Sequence, residues 1–273
     1  MSFGLHTPGI IVIKYFISLL GLIFVSAGIL TAAPGVPPAA APFPILVELF
    51  TSEGCSTCPP ADALLQELDQ AQPVAGEHLI VLSEHVDYWN SIGWTDPYSS
   101  SFFSDRQNSY GSRFKLASVY TPQMVVDGVV EFVGGDPRLA NQSFEKAREH
   151  EKIPVHVSSV SWEDASTLRA HVEVGSLPDS AGVRRAEVYL VAALDHAESQ
   201  VLRGENKGRR LTHVAVVLSM TKIGTTEKGK GFAGDAHIKL DSRRNLAQLR
   251  VVAFVQESGP GRVLGAAIER ITK

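Results

Sequence analysis

Cysteine is nearly missing from this chain, with two among 273 residues. Two thiols can neither build a multi-bridge disulfide framework nor supply the four thiolates of a structural zinc site. Charge is sparse as well: 20% of residues are charged, with 25 Lys and Arg against 29 Asp and Glu, a net of −4. A chain with no basic excess lacks the footprint that phosphate backbones require, which argues against nucleic acid as a partner. No Gly-x-y run, sustained heptad or fixed repeat period occurs, so collagen, coiled coil and repeat arrays are excluded. Disorder is excluded as the main state, because 44% of residues are hydrophobic and the net charge is small.

The first stretch that carries information is also defined by a lack. Tyr15–Ala33 (YFISLLGLIFVSAGILTAA) runs nineteen residues without a charge, directly after Lys14. A positive residue, an apolar run and small residues at Thr31-Ala32-Ala33 read as an export signal over residues 1–33. Its length equally suits an uncleaved anchor, since about twenty apolar residues can span a bilayer. Either reading places the rest of the chain outside the cytoplasm, periplasmic or secreted, with membrane contact only through this segment. Residues 34–42 form a Pro/Ala-rich linker; Pro34–Pro44 holds five prolines and no charge.

Two patterns follow. Phe43–Phe50 (FPILVELF) and Leu79–Leu82 (LIVL) are apolar runs of the kind that strands buried on both faces require. Ala61–Ala71 carries Ala61, Leu64, Leu65 and Leu68 at helical spacing. Asp96–Leu116 is polar and aromatic and reads as one or two short helices. Gln123–Asp127, Gly128 and Val129–Val133 read as a hairpin turning at Asp127-Gly128, and Pro137–Glu151 as a surface helix. After Pro154 come seven short strand-like runs: Val155–Val160, Thr167–Val174, Ala186–Leu194, Leu211–Ser219, Ala236–Leu240, Leu249–Val255 and Val263–Ile271. Gly, Asp and Ser clusters separate them, a pattern that suits an antiparallel sandwich.

The two cysteines form one Cys-x-x-Cys, Cys55-Ser56-Thr57-Cys58, after the first strand and before the first helix. A thiolate there faces a helix N-terminus, whose free N–H groups favour the anion. Cys55, at the outer edge of the turn, would attack a substrate disulfide, and Cys58 would resolve the mixed disulfide. A static staple and half of a metal site are the competing readings. Pro59 and Pro60 remove backbone donors from the first helical turn, and Glu53 opposes ionisation nearby. Thr121-Pro122 sits at the mouth of the hairpin, where a residue without an N–H is tolerated and the bond can be cis. Of the residues after the second strand, His85 could carry a proton or join the thiolates around a metal. Asp87 accompanies it, and Tyr88 and Trp89 suit packing more than recognition. Arg106, Gln107 and Tyr110 fall together on one helical face. Glu205-Asn206-Lys207-Gly208-Arg209-Arg210 reads as a charged loop leading into a strand that carries His213.

The Cys-x-x-Cys and Thr121-Pro122 together, in the order strand, Cys-x-x-Cys, helix, strand, Thr-Pro, hairpin, helix, resemble the thioredoxin superfamily over about residues 43–151. The resemblance implies that the Thr-Pro loop packs on the disulfide and pairs with substrate backbone. Gly54 stands where thioredoxins usually carry an aromatic. The runs VELFTSEGCSTCPPAD, HVDYW, GWTDP, RQNSY, VYTPQMVVDG, GENKGRRLTHVAVV and VVAFVQ are similar to a family of secreted bacterial thioredoxin-like proteins of unknown function.

The expected architecture is therefore an α/β thioredoxin-like domain at 43–151, a central mixed sheet flanked by helices, followed by an all-β sandwich domain at 152–273. A fragment ending near Lys152 is expected to fold alone. The expected function is exported thiol–disulfide oxidoreduction on protein or small-molecule disulfides, without a cofactor. Its site is Cys55, Cys58, Thr121 and Pro122, supported by His85, Asp87, Trp89 and Arg106. The alternatives are a copper- or zinc-binding module built on the cysteines and His85, and a non-catalytic interaction protein with a static disulfide.

Overall fold

In the computed structural model, the described residues are 43–272 together with residues 1, 3, 4 and 9. The apolar run Tyr15–Ala33, expected to direct export, and the Pro/Ala-rich linker at 34–42 lie outside them. The described residues 43–272 belong to one compact unit.

Strand β1 (Phe43–Thr51) is buried from Ile45 onward because it has neighbours on both edges. Strand β2 (Glu77–His85) pairs parallel to it along its whole length, and β3 (Gln123–Val126) pairs antiparallel on the other side. Strand β4 (Val130–Val133) closes a hairpin with β3. Its turn puts Asp127 at φ 51° and Gly128 at φ 66°, the positive pair that a type I′ turn requires at its two central residues. Gly128 has a second reason to lack a side chain: a Cβ there would lie 2.1 Å from the Gly261 carbonyl oxygen.

Helix α1 (Pro59–Ala71) begins two residues before the periodic apolar run, on two prolines that suit a helix start. It turns Ala61, Leu64, Leu65 and Leu68 onto the sheet, where they meet Ile45, Val47, Leu49, Leu79 and Val81 and, from helix α3 (Pro137–Arg148), Ala140 and Phe144. The Asp96–Leu116 stretch holds one α-helix, α2 (Ser101–Phe114), capped by the Ser100 hydroxyl, which accepts from the Phe102 N–H; a 3₁₀ turn over Tyr88–Ile92 precedes it. Phe103 and Tyr110 of α2 cover the opposite face of the sheet, against Leu46, Phe50, Ile80 and Leu82.

The seven strand-like runs each overlap a strand: β5 (Val155–Trp162), β6 (Thr167–Val174), β7 (Arg185–Gln200), β8 (Arg210–Glu227), β9 (Phe232–Lys239), β10 (Gln248–Glu257) and β11 (Val263–Thr272). Their assembly overturns the expected fold class. Four of them do not form a sandwich apart from the first half but extend its sheet, in the order β11-β10-β7-β8-β2-β1-β3-β4. Strands β5, β6 and β9 form a separate three-stranded sheet, which packs Leu168, Ala170, Val172 and Ile238 against Val188, Leu190, Val251 and Ala253 of the large one. The protein is mostly β, with three α-helices among its described residues.

The physical reason lies in the shared core. The cluster under α2 contains Leu46, Phe50 and Ile80 from the first half and Val191, Val217, Val252 and Phe254 from the second. A face that is completed only by the second half cannot be closed by α2 alone. The join between β2 and β8 is parallel, with Ser83 opposite Val216, and the β3–β4 turn is tied to the far end of the sheet. There Lys152 Nζ donates to Asp127 Oδ2 and to the Val263 carbonyl, each at 2.7 Å.

Candidate functional site

Between β1 and α1 the chain must turn from the sheet edge into the helix, and Ser52–Cys58 makes that turn with local hydrogen bonds. Ser52 Oγ accepts from the Gly54 N–H at 3.1 Å, and the Ser52 carbonyl accepts from the Cys55 N–H at 3.1 Å. Cys55 and Cys58 form a disulfide with Cα atoms 5.5 Å apart. Cys58 is the cap residue of α1, and its carbonyl accepts from the Ala61 and Asp62 N–H groups.

Two features of this turn run against the expected thiol chemistry. Cys55 is not at an exposed edge: both cysteines are 0% exposed, while Ser56 and Thr57 between them face solvent. The helix also begins on Pro59 and Pro60, which leaves Cys55 in the loop and removes two donors from the first turn, so the helix end stabilises an anion there less than a donor-rich terminus would.

The expected neighbours separate into two groups. Trp89 belongs to the site. A Cβ at residue 54 would lie 3.1 Å from Trp89 Cβ, so the tryptophan fills the space beside Gly54, and its Nε1 donates to Thr121 Oγ1 at 2.7 Å. One side chain thus connects the disulfide turn to the Thr-Pro loop. The Thr121–Pro122 bond is cis. The Pro122 carbonyl accepts from the Gly134 N–H, and a Cβ at residue 134 would meet Ala61 at 2.9 Å and Pro122 at 3.4 Å. Pro122 and Ala61 of the first turn of α1 therefore both flank Gly134.

His85 joins the site through an intermediary. Its Nδ1 lies 2.7 Å from Asp96 Oδ2, which also accepts from the Glu53 N–H at 2.8 Å. Burial alone would raise the Asp96 carboxyl, but His85 and the N–H groups of Glu53 and Tyr98 hold it below the ordinary carboxylate value. Asp87 and Arg106 serve elsewhere. Asp87 accepts from Ser104 Oγ at 2.6 Å, which fixes the start of α2. Arg106 is buried among Glu48, Glu84, Tyr110 and Gln256, with Nη2 at 2.6 Å from Glu48. Burial and the adjacent Glu48 push the Glu84 carboxyl well up.

The residues that sequence reasoning could not place are those of the β7–β8 loop. Asn206 is fully buried, and its Nδ2 donates to the Glu53 carbonyl at 2.9 Å and to the Cys55 carbonyl at 2.8 Å. Glu205 Oε2 accepts from the Ser56 N–H at 3.0 Å, and hydrogen bonding from Ser56 lowers its carboxyl. Gly204 lies against Trp94, whose Nε1 donates to Glu53 Oε2 at 2.8 Å. The only early signal was the match of the GENKGRR run to a family pattern, because a side chain that bonds to distant carbonyls leaves no local periodicity.

Beneath the turn, β8 supplies His213, with Nε2 at 3.6 Å from Glu53 Oε1 and Nδ1 at 3.7 Å from Asp62 Oδ1. These are ion-pair rather than hydrogen-bond separations. Burial would lower the imidazole, but the flanking carboxylates of Asp62 and Glu53 outweigh it and push His213 up to about 10. The His85 ring meets it edge-on with centroids 4.7 Å apart. Asp62 lies one helical turn beyond Cys58, on the same buried face of α1. Among the described residues, no group of three or more His, Cys, Asp or Glu side chains is arranged to hold a metal ion.

The architecture recurs in solved structures. A crystal structure of a protein from Agrobacterium tumefaciens is similar at 25% identity with a TM-score of 0.61, covering 82% of this chain and 92% of its own. HBP35 of Porphyromonas gingivalis aligns at 13% identity with a TM-score of 0.63, over 84% of this chain and 75% of its own, a likeness of fold alone. No curated protein matches the sequence. The family model that matches residues 46–256 is described as "Protein of unknown function (DUF1223)", and it spans the disulfide turn, the Thr-Pro loop and the β7–β8 loop alike. The chain belongs to this family.

Proposed function

We propose that the protein is an exported thiol–disulfide exchange protein whose reacting pair is Cys55–Cys58. The observation that carries the reading is the bridge made by Trp89, which packs on Gly54 beside Cys55 and donates to Thr121. It joins the two motifs whose resemblance to thioredoxin-like proteins supports this chemistry. The apolar segment Tyr15–Ala33 supports an extracytoplasmic location, where disulfides form and persist.

In this reading a thiolate of a partner dithiol attacks Cys55 Sγ. The S–S bond breaks, Cys58 leaves as a thiolate, and a mixed disulfide joins Cys55 to the partner. The partner's second thiol then displaces Cys55. The partner loses two electrons to become a disulfide, and Cys55 and Cys58 gain them with two protons to become thiols. Run in reverse, the same steps reduce a partner disulfide. A second reading, a static disulfide in an interaction protein, draws on the full burial of both cysteines.

Trapping separates the two. In the reverse direction, the Cys55 thiolate of Cys58→Ser attacks a model disulfide and expels one of its thiols; with no Cys58 thiol to release it, the Cys55 mixed disulfide accumulates and is visible by mass. A Cys58→Ser protein that stays unmodified at Cys55 under conditions that label a surface thiol would overturn exchange and leave the staple.

A further inference from the structure

The β7–β8 loop, residues 201–209, reaches the disulfide turn from a point 151 residues further along the chain. It grips both sides of Cys55. Asn206 takes the carbonyls of Glu53 and Cys55 with one buried amide, and Glu205 takes the N–H of Ser56. Asn206 is held in turn by Arg209, whose Nη1 donates to its Oδ1 at 2.9 Å. All the polar atoms of the Asn206 side chain are thus engaged, and the disulfide in the turn they pin is 0% exposed.

We propose that Asn206 and Glu205 are positioning residues that latch the β7–β8 loop over Cys55–Cys58, and that a thiol reaches the sulfurs only after this loop releases. The chemistry is specific to the site. An attacking sulfur must approach Cys55 Sγ along the S–S axis, and a turn whose carbonyls and N–H are pinned from outside cannot swing the disulfide toward solvent. Release breaks the three hydrogen bonds to the turn, one of them accepted by an ionised carboxylate and thus among the stronger kind. It breaks no apolar core contact of Glu205, which is exposed. A partner that offers its own backbone groups to Ser56 and Cys55 replaces what the loop gives up, whereas a small thiol does not. The latch therefore selects for peptide partners over small thiols.

This inference takes its functional sense from the exchange reading, yet its test does not depend on enzymatic turnover. The probe is tris(3-hydroxypropyl)phosphine, an uncharged reductant, so a change of charge at residue 205 leaves its local concentration unaltered. It becomes the phosphine oxide with oxygen from water, and the cysteine pair becomes two thiols. Glu205→Gln, a surface change that leaves the fold intact, and Asn206→Asp, which keeps the shape but removes both donated bonds, are each compared with the wild type under native conditions. Both variants are expected to be reduced about tenfold faster. For Glu205→Gln the equilibrium of the disulfide with glutathione remains within about twofold of wild type, because a latch alters access before it alters the energies of the end states. Unchanged rates in Glu205→Gln would overturn the latch, as would an altered glutathione equilibrium with no change in rate. Neither outcome bears on the Cys58→Ser trap, so a failed latch and a failed exchange reading remain distinct.

Discussion

His213 is the residue on which the polar underside of the site depends, and its protonation gives it a pH signature. Its folded value near 10 lies above the ordinary histidine value of 6.5. The group therefore contributes stability that is fully present below pH 6.5 and is lost as pH rises toward 10. Each tenfold gain in proton affinity on folding is worth about 1.4 kcal/mol, so the contribution is on the order of a few kcal/mol. The groups that face it are Glu53 from the disulfide turn, Asp62 from α1, and the His85 and Tyr98 rings. His213→Gln is expected to destabilise most near pH 6, with the gap to wild type closing as pH rises through 8 to 10. Denaturant midpoints at those three pH values measure it, and a gap independent of pH would place the proton elsewhere. Little of this was legible beforehand. His85, Trp89 and the Cys pair announced themselves by motif, but Asn206, Asp62 and His213 meet the turn through single side-chain contacts that no spacing rule describes.

At the scale of elements, the β3–β4 turn and the start of α3 at Pro137 were readable because their chemistry is local. Asp127-Gly128 is such a case: the hairpin turn fixes a positive φ at both residues, and the glycine also admits the Gly261 carbonyl. Gly128→Ala is expected to cost about 2–4 kcal/mol, more than the usual penalty for alanine at positive φ, because the backbone of residues 261 and 128 must separate. A shift in thermal midpoint measures it; a neutral effect would show that the β10–β11 turn gives way freely. The 3₁₀ turn Tyr88–Ile92 and the start of α1 were harder to read. Pro59 and Pro60 obscure a helix whose apolar repeat begins only at Ala61, and the 3₁₀ turn is too short to show a period. The strands of the second half were found one by one, since each alternates or runs apolar over its own length. Their partners were not, because β7 and β8 look the same from sequence whether they close a sandwich or prolong a sheet.

For the whole molecule, that ambiguity decides what can fold independently. A chain cut near Lys152 loses β8, and the outer edge of β2 is then left unpaired, with Ile80 and Leu82 deprived of the side chains that share their cluster. Open apolar edges invite association. A fragment of residues 43–152 is therefore expected to lack a cooperative thermal transition and to aggregate. A monomeric fragment with a sharp transition would restore a separate first domain.

The bond from Asn206 to the Cys55 carbonyl also has a meaning in time. Cys55 leaves the synthetic machinery 151 residues ahead of the amide that binds its carbonyl, and Ser83 of β2 must wait 133 residues for Val216 of its parallel partner β8. Closing so long a loop carries the entropic cost that makes non-local strand pairing slow. During early folding, then, the disulfide turn lacks the bonds that the β7–β8 loop gives it in the finished fold. The disulfide can be set or reset by outside oxidants in that interval, and completion of the sheet ends it, so that the folding of the second half acts as a timer on the chemistry of the first.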